Sequence, residues 1–326
     1  LMVYGEFVQS PQVNFAKALA SILPANLNCT YFVSSGSEAV EGAMKLAKRY
    51  TGRTELIACK NSYHGSTQGA LSLMGNEEFK QAYRPLLPDI KFINYNHLPD
   101  LEKITTQTAG VFIETIQGEA GIRVADKKYF KALREKCTKT GTLLILDEIQ
   151  CGFGRTGKMF GFEHFGIVPD ILLLAKGIGG GMPIGAFISS SQIMSVFTDN
   201  PILGHITTFG GHPVSCAAGL ATLNTIVAEN MVAEVEEKGE LFKKLLKHPA
   251  IKEVRGKGLM LAAEFDSYDT LKKIIDGCIE DGIITDWFLH CSNSMRIAPP
   301  LIITKMEIEE ACRVILNNIN RVVSKN

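Results

Sequence analysis

Apolar and polar positions along this chain repeat with two periods. Pro11 to Leu23 and Ser35 to Tyr50 carry apolar residues at helical spacing, the first stretch being stopped by Pro24. Between and after them lie apolar runs of strand length: Leu56-Ile57-Ala58-Cys59, Val111-Phe112-Ile113, Leu143-Leu144-Ile145-Leu146 and Ile171-Leu172-Leu173-Leu174. Lys127 to Thr140 predicts a helix just ahead of the run at Leu143. This strand–helix alternation predicts an α/β fold with a mostly parallel central sheet sandwiched by helices. Pro213 stands where a first-turn proline belongs, and the pattern from there to about Lys247 predicts one long, bent helix.

After Pro249 the texture changes. Leu259 to Phe265 predicts a strand, Tyr268 to Asp281 a helix, Met295 to Ala298 a strand, and Thr304 to Val323 a closing helix capped by Thr304. A large domain over residues 1–228 and a smaller C-terminal α+β domain over 229–326, joined through the long helix, are therefore expected. No internal repeat or low-complexity linker interrupts them. The chain opens on Leu1 as if inside an element, so a further N-terminal segment is expected ahead of it.

Composition narrows the classes. Lysine plus arginine equals aspartate plus glutamate at 34 each, which gives no electrostatic pull toward nucleic acid or an anionic membrane. Eight cysteines without a CxxC pair read as reduced thiols of a cytoplasmic protein, not as a disulfide framework or a metal site. An apolar fraction of 46% is enough for a sizeable core, and no run reaches membrane-spanning length.

The chemistry concentrates between Leu143 and Ile184. One apolar run ends in Asp147-Glu148-Ile149-Gln150, the other in Ala175-Lys176 followed by Gly177-Ile178-Gly179-Gly180-Gly181. Laid side by side in a parallel sheet, such strands present a carboxylate and an amine at the carboxyl edge, where open α/β sheets bind ligands. An acid that keeps a ring nitrogen protonated, beside a lysine that can form a Schiff base, is the minimum set for pyridoxal phosphate (PLP) chemistry. Ser34-Ser35-Gly36-Ser37-Glu38-Ala39 supplies a second part: Ser35 and Glu38 have capping-box spacing, and the helix start they mark suits a phosphate held by Gly36 and Ser37. Tyr63-His64-Gly65 supplies a third, an aromatic ring able to stack on a flat cofactor. Each has an ordinary structural reading as well: a capped helix, a loop anchor, a lysine after a strand.

Taken together, these residues resemble the class III, ω-amino-acid aminotransferases of PLP fold type I. The likeness runs through Phe32-Val33-Ser34-Ser35-Gly36-Ser37-Glu38-Ala39, Tyr63-His64-Gly65, Ile116-Gln117-Gly118-Glu119, Asp147-Glu148-Ile149-Gln150 and Gly154-Arg155-Thr156-Gly157. It continues through Pro169-Asp170, Lys176, Thr207-Thr208-Phe209-Gly210-Gly211 and Met295-Arg296-Ile297-Ala298-Pro299-Pro300-Leu301. The resemblance implies Lys176 as the Schiff-base lysine, Asp147 on the pyridine nitrogen and Gln150 near the phenolic oxygen. It also implies Ser35, Gly36 and Ser37 at the phosphate, with Tyr63 and His64 at the cofactor. Thr208 would reach the phosphate of a neighbouring subunit, hence a homodimer with shared active sites. Glu119 would cover Arg296 while the amine donor reacts, and Arg296 would then take the keto acid's α-carboxylate.

Two positions depart from the pattern. Ser66 stands where many ornithine and acetylornithine enzymes carry arginine, so carboxylate recognition must be rearranged there, and His212 replaces a common asparagine. The resulting expectation is an ω-amino acid transaminase passing nitrogen to 2-oxoglutarate by a ping-pong cycle, with acetylornithine or ornithine as the donor. A 4-aminobutyrate or other ω-amine transaminase, a PLP aminomutase or decarboxylating transaminase, and a PLP-fold binding protein without activity are the alternatives.

Overall fold

Seven strands build the sheet on which the first of two units is organised. In a computed structural model that describes residues 7–324, the strands begin with β1 (Cys29–Val33), β2 (Glu55–Cys59), β3 (Ile90–Ile93) and β4 (Thr108–Glu114). The chain then leaves for the short pair β5 (Ile116–Gln117) and β6 (Arg123–Val124), and returns for β7 (Leu143–Asp147), β8 (Ile171–Leu174) and β9 (Gly185–Ser189). Leu1, ahead of which a further segment is expected, lies outside the described residues.

The sheet order is β1-β9-β8-β7-β4-β2-β3. The pairs β8–β7, β7–β4, β4–β2 and β2–β3 are parallel, and β9 is antiparallel to both of its neighbours, β8 and β1. Two reversals cancel, so β1 runs in the same direction as β8. Val33 pairs with Gly185 and Leu174 with Ala186, which brings the carboxyl ends of β1 and β8 to one edge. β4, β7 and β8 are buried throughout, which is why their sequences are unbroken apolar runs rather than alternating ones.

Helices α1 (Ser10–Ile22), α2 (Gly36–Thr51), α3 (Gln68–Ser72), α4 (Lys127–Thr140), α5 (Ser191–Met194) and α6 (Pro213–Ala228) belong to this unit. α2 forms because Ala39, Val40, Ala43, Met44 and Ala47 recur on one face, and that face joins Val33, Phe112, Ile145, Leu173 and Phe187 in a single core. Gly42 of α2 faces Phe187 so closely that a Cβ there would run into the ring. The Ser35–Glu38 box is only half formed: the Ser35 hydroxyl accepts from the Glu38 N–H at 3.2 Å, but the Glu38 carboxylate accepts from Ser34 N–H at 2.7 Å instead of from Ser35.

The second unit consists of Ile116–Val124, Gly154–Phe160 and everything from Asn230 onward. Its helices are α7 (Val235–Leu245), α8 (Tyr268–Glu280) and α9 (Lys305–Val323), and its strands β10 (Glu253–Lys257), β11 (Met260–Glu264), β12 (Trp287–Phe288) and β13 (Cys291–Ile297) form an antiparallel sheet of order β10-β11-β13-β12. Leu261, Ala263, Met295 and Ile297 of that sheet pack with Leu271 and Ile275 of α8 and Ile308, Ile315 and Ile319 of α9. α9 is entered through a complete capping box of Thr304 and Glu307.

The long helix expected from Pro213 to about Lys247 is two helices, α6 and α7. α6 is capped at Glu229 and followed by Asn230 at φ +49°, a left-handed residue that cannot continue the helix. The change from first to second unit falls at the same place. Among the described residues no helix is long and apolar enough to cross a membrane, and no cluster of three or more His, Cys, Asp or Glu has the arrangement of a metal site.

Candidate active site

The shared direction of β1, β2, β4, β7 and β8 brings five connections to one carboxyl edge: Ser35 to Ser37 after β1, Tyr63 to Ser66 after β2, Thr115 after β4, Asp147 at the end of β7, and Lys176 after β8. Contacts between them are direct. His64 Nδ1 lies 2.8 Å from Asp147 Oδ2, and the Ser66 N–H donates to Ser37 Oγ at 3.3 Å. Tyr63 N–H donates to Glu114 Oε1 at 3.1 Å, and the Tyr63 hydroxyl lies 3.1 Å from Ser66 Oγ. Gly36 packs so near Ala175 that a Cβ on it would stand 3.3 Å from the alanine methyl.

Asp147 is 4% exposed and His64 is 2% exposed. The other carboxylate oxygen of Asp147 accepts from the Ile149 N–H at 3.0 Å. Burial disfavours a charged imidazole, but the hydrogen bond to Asp147 and the charges of Asp147 and Glu114 outweigh it and raise the His64 pKa. His64 Nε2 is buried and has no hydrogen-bond partner among the described residues. With Nδ1–H donating to one carboxylate oxygen and the Ile149 N–H to the other, the Asp147 side chain is fixed in direction at this edge.

Lys176 opens a short 3₁₀ turn, Lys176–Gly179, and its backbone lies in the left-handed region at φ +50°. Side chains other than glycine adopt that region rarely and at a cost, and such residues concentrate where a site dictates the backbone. Its side chain is exposed, so the amine is accessible. Gly65, at φ +126°, leaves room for Ser37: a Cβ on it would collide with Ser37 Oγ. Because α2 starts at Gly36, the N–H groups of Gly36 and Ser37 have no partner within the helix, and they sit at its positive end. Gln150 is half-buried in the turn directly after Asp147.

Thr208 does not join this group. It lines a pocket of about 800 Å³ beside Phe7, Tyr31, Phe32, Phe197 and Ile206, in the loop before α6. Glu119 and Arg296 meet within the second unit. Both carboxylate oxygens of Glu119 accept from a single guanidinium nitrogen of Arg296, at 3.0 and 2.9 Å, and Glu119 Oε2 also accepts from the Leu289 N–H at 3.1 Å. The guanidinium stacks over Phe288 at 4.5 Å.

Sequence comparison places this arrangement among known proteins. The profile of the family described as "Aminotransferase class-III" matches residues 1–319. The chain belongs to the class III aminotransferases. It is 42% identical over 297 residues to the acetylornithine aminotransferase of Caldanaerobacter subterraneus, covering 87% of this chain and 74% of the relative. It is 39% identical over 308 residues to that of Methanopyrus kandleri, covering 94% and 78%. Among solved structures, a transaminase from a marine Virgibacillus superposes with a TM-score of 0.93 at 29% identity, covering 100% of this chain and 82% of that one. The ornithine aminotransferase of Toxoplasma gondii, whose active site holds PLP at partial occupancy, superposes with a TM-score of 0.92 at 30% identity, covering 99% and 79%.

Class III aminotransferases use PLP, and the residues at this carboxyl edge fit it. A buried carboxylate oriented by His64, an accessible lysine just beyond the end of the adjacent parallel strand, and a helix start whose first N–H groups have no partner within the helix match the three functions the cofactor requires. The His64–Asp147 bond was outside the reach of the sequence pattern. Eighty-three positions separate the two residues, and the only local signal was a histidine between an aromatic and a glycine.

Proposed function

We propose that the chain moves an amino group from acetylornithine or ornithine to 2-oxoglutarate in two half-reactions. The observation that carries this reading is the Glu119–Arg296 pair: a carboxylate holds one nitrogen of a guanidinium that a substrate carboxylate would otherwise take. With an ω-amine in place, Glu119 neutralises Arg296. With a keto acid in place, Glu119 gives way and Arg296 receives the α-carboxylate through a fork of two hydrogen bonds. The choice of donor is supported by the names of the relatives at 42% and 39% identity.

Bound PLP supplies an electron sink for the carbon that loses its proton. Lys176 would hold the cofactor covalently and, once displaced by the substrate amine, carry the proton between two carbons as a neutral base. Asp147, fixed by His64, would keep the ring nitrogen protonated. Ser35, Gly36 and Ser37 would bind the phosphate, Tyr63 would stack on the ring, and Gln150 would approach the phenolic oxygen. The reading includes a homodimer, in which Thr208 serves the partner's phosphate. Its support is the apolar surface around Thr208, where Ile202, Leu203, Ile206 and Phe209 are more than half exposed. The eight free cysteines support a cytoplasmic enzyme.

A second reading keeps the reaction and changes the donor. Ser66 contributes a hydroxyl engaged with Tyr63 rather than a cation, which favours 4-aminobutyrate or another ω-amine lacking an α-carboxylate.

The test is the visible spectrum of the PLP-loaded protein with one amine at a time and no keto acid. Bleaching of the cofactor band by acetylornithine or ornithine, and its return with 2-oxoglutarate, is expected. Bleaching by 4-aminobutyrate alone would overturn the donor assignment. Lys176→Ala is expected to lose borohydride-fixable cofactor, and an adduct that persists would displace Lys176 from its role.

A further inference from the structure

Glu148 follows Asp147 directly, yet the chemistry above makes no use of it. Its side chain is 1% exposed. Its carboxylate accepts three hydrogen bonds: from the Thr115 hydroxyl at 2.6 Å and the Phe162 N–H at 2.8 Å on Oε1, and from the Gly161 N–H at 2.8 Å on Oε2. The identity of these donors is what matters. Thr115 is the last residue before the chain leaves the first unit for Ile116–Val124, the segment that bears Glu119. Gly161 and Phe162 are the first residues back after the excursion Gly154–Phe160.

We propose that Glu148 is a positioning residue, a proton-controlled clamp whose carboxylate fixes one departure and one return of the chain against the end of β7. An ordinary structural residue at this place would be apolar or a neutral amide, because burying a carboxylate without a cation is costly. Among the described residues the neighbours supply none. Asp147 lies beside it on β7 and Glu114 precedes Thr115 on β4, both carboxylates; Cys151 in the following turn is a thiol; the 161–164 turn adds exposed Glu163 and half-buried His164 to its two backbone donors.

Burial pushes the Glu148 carboxyl up to about 7; the Thr115 hydroxyl and the Gly161 and Phe162 N–H groups pull it back, and the Asp147 charge adds to the rise. The carboxyl therefore changes state near neutral pH. The anion can accept all three bonds. The neutral acid carries a proton that the Thr115 hydroxyl can take by reversing its own bond, whereas an N–H cannot reverse. Bonds to an ionised acceptor are roughly twice as strong as neutral ones, so the two amides are gripped above the transition and loosened below it. Global stability moves the other way. Between the ordinary carboxyl range and pH 7 the unfolded chain has released this proton and the folded chain has not, so folding loses stability as pH rises through that window.

The experiment is hydrogen–deuterium exchange of the full, PLP-loaded chain from pH 5.5 to 8.5, with rates at Gly161 and Phe162 corrected for intrinsic exchange. Protection of these two amides is expected to rise about fivefold through a midpoint near 7. Glu148→Gln, neutral throughout, is expected to give a flat profile. Thr115→Val is expected to keep the rise and move its midpoint upward, because the anion has lost a donor. Flat protection in the wild type, or a rise that survives in Glu148→Gln, overturns the proposal. Where Glu148→Gln does not fold, the Thr115→Val profile decides, and an unmoved midpoint overturns it.

Discussion

Replacing His64 with alanine removes one end of a buried, charge-assisted hydrogen bond and leaves Asp147 with the Ile149 N–H as its remaining described partner. A hydrogen bond to a charged group contributes about 1.5–3 kcal/mol. The imidazole also packs edge-on against Phe112, with ring centroids 6.2 Å apart, so its loss leaves a cavity in the core. Together the two terms predict a loss of about 3–5 kcal/mol. The pH dependence separates them. His64 has a raised pKa in the fold, so its ionic contribution is fully present below its unfolded pKa, about 6.5, and is lost as pH rises through the higher folded value. The cavity term does not titrate. Urea unfolding of the cofactor-free His64→Ala and wild-type chains should show a larger gap at pH 6 than at pH 9. A cycle with Asp147→Asn should show coupling of about 1.5–3 kcal/mol at pH 6. A gap that widens toward pH 9, or coupling below about 0.5 kcal/mol, would refute the argument that a charge-assisted bond joins His64 to Asp147.

Two further variants probe the ends of the site. Arg296→Ala removes the cation proposed for the keto acid, and should lower kcat/KM of that half-reaction about 100-fold while leaving the amine half within about fivefold. Stopped-flow measurement of each half separately decides this, and equal damage to both would end the idea that Glu119 and Arg296 alternate. Gly65→Ala forces a side chain into a left-handed backbone and against Ser37 Oγ, at a cost of about 1–3 kcal/mol. PLP affinity should fall about tenfold or more by fluorescence titration, and an unchanged affinity would remove Ser37 from the phosphate site.

The parts of the fold that were legible are those written locally. Lys127–Thr140 and Ile171–Leu174 have the boundaries their apolar spacing predicts, Asp147 ends one strand, and Lys176 lies just beyond its parallel neighbour. The antiparallel strand β9, and β1 beyond it, were not legible, because a period of two or an apolar run reports burial and not a partner. The break after α6 was marked only by Asn230, a residue whose left-handed tolerance is a weak signal inside an otherwise helical stretch. The contacts of His64 and Glu148 span long separations that spacing does not encode. Glu119 and Arg296, 177 residues apart, entered only through the family resemblance.

The place of β9 between β8 and β1 also sets an order of events during synthesis. Among the described residues, β1 is tied to the sheet through β9 alone, although β1 carries the Ser35–Ser37 turn and precedes β9 by about 150 positions in the chain. Once Lys176 has emerged but before Ser189 has, the nascent chain would hold the proposed acid and lysine without the strand that brings the proposed phosphate end beside them. In the proposed site, capture of the cofactor would thereby be deferred until β9 is made, and β1, without its strand partner in the interval, would be exposed to chaperones.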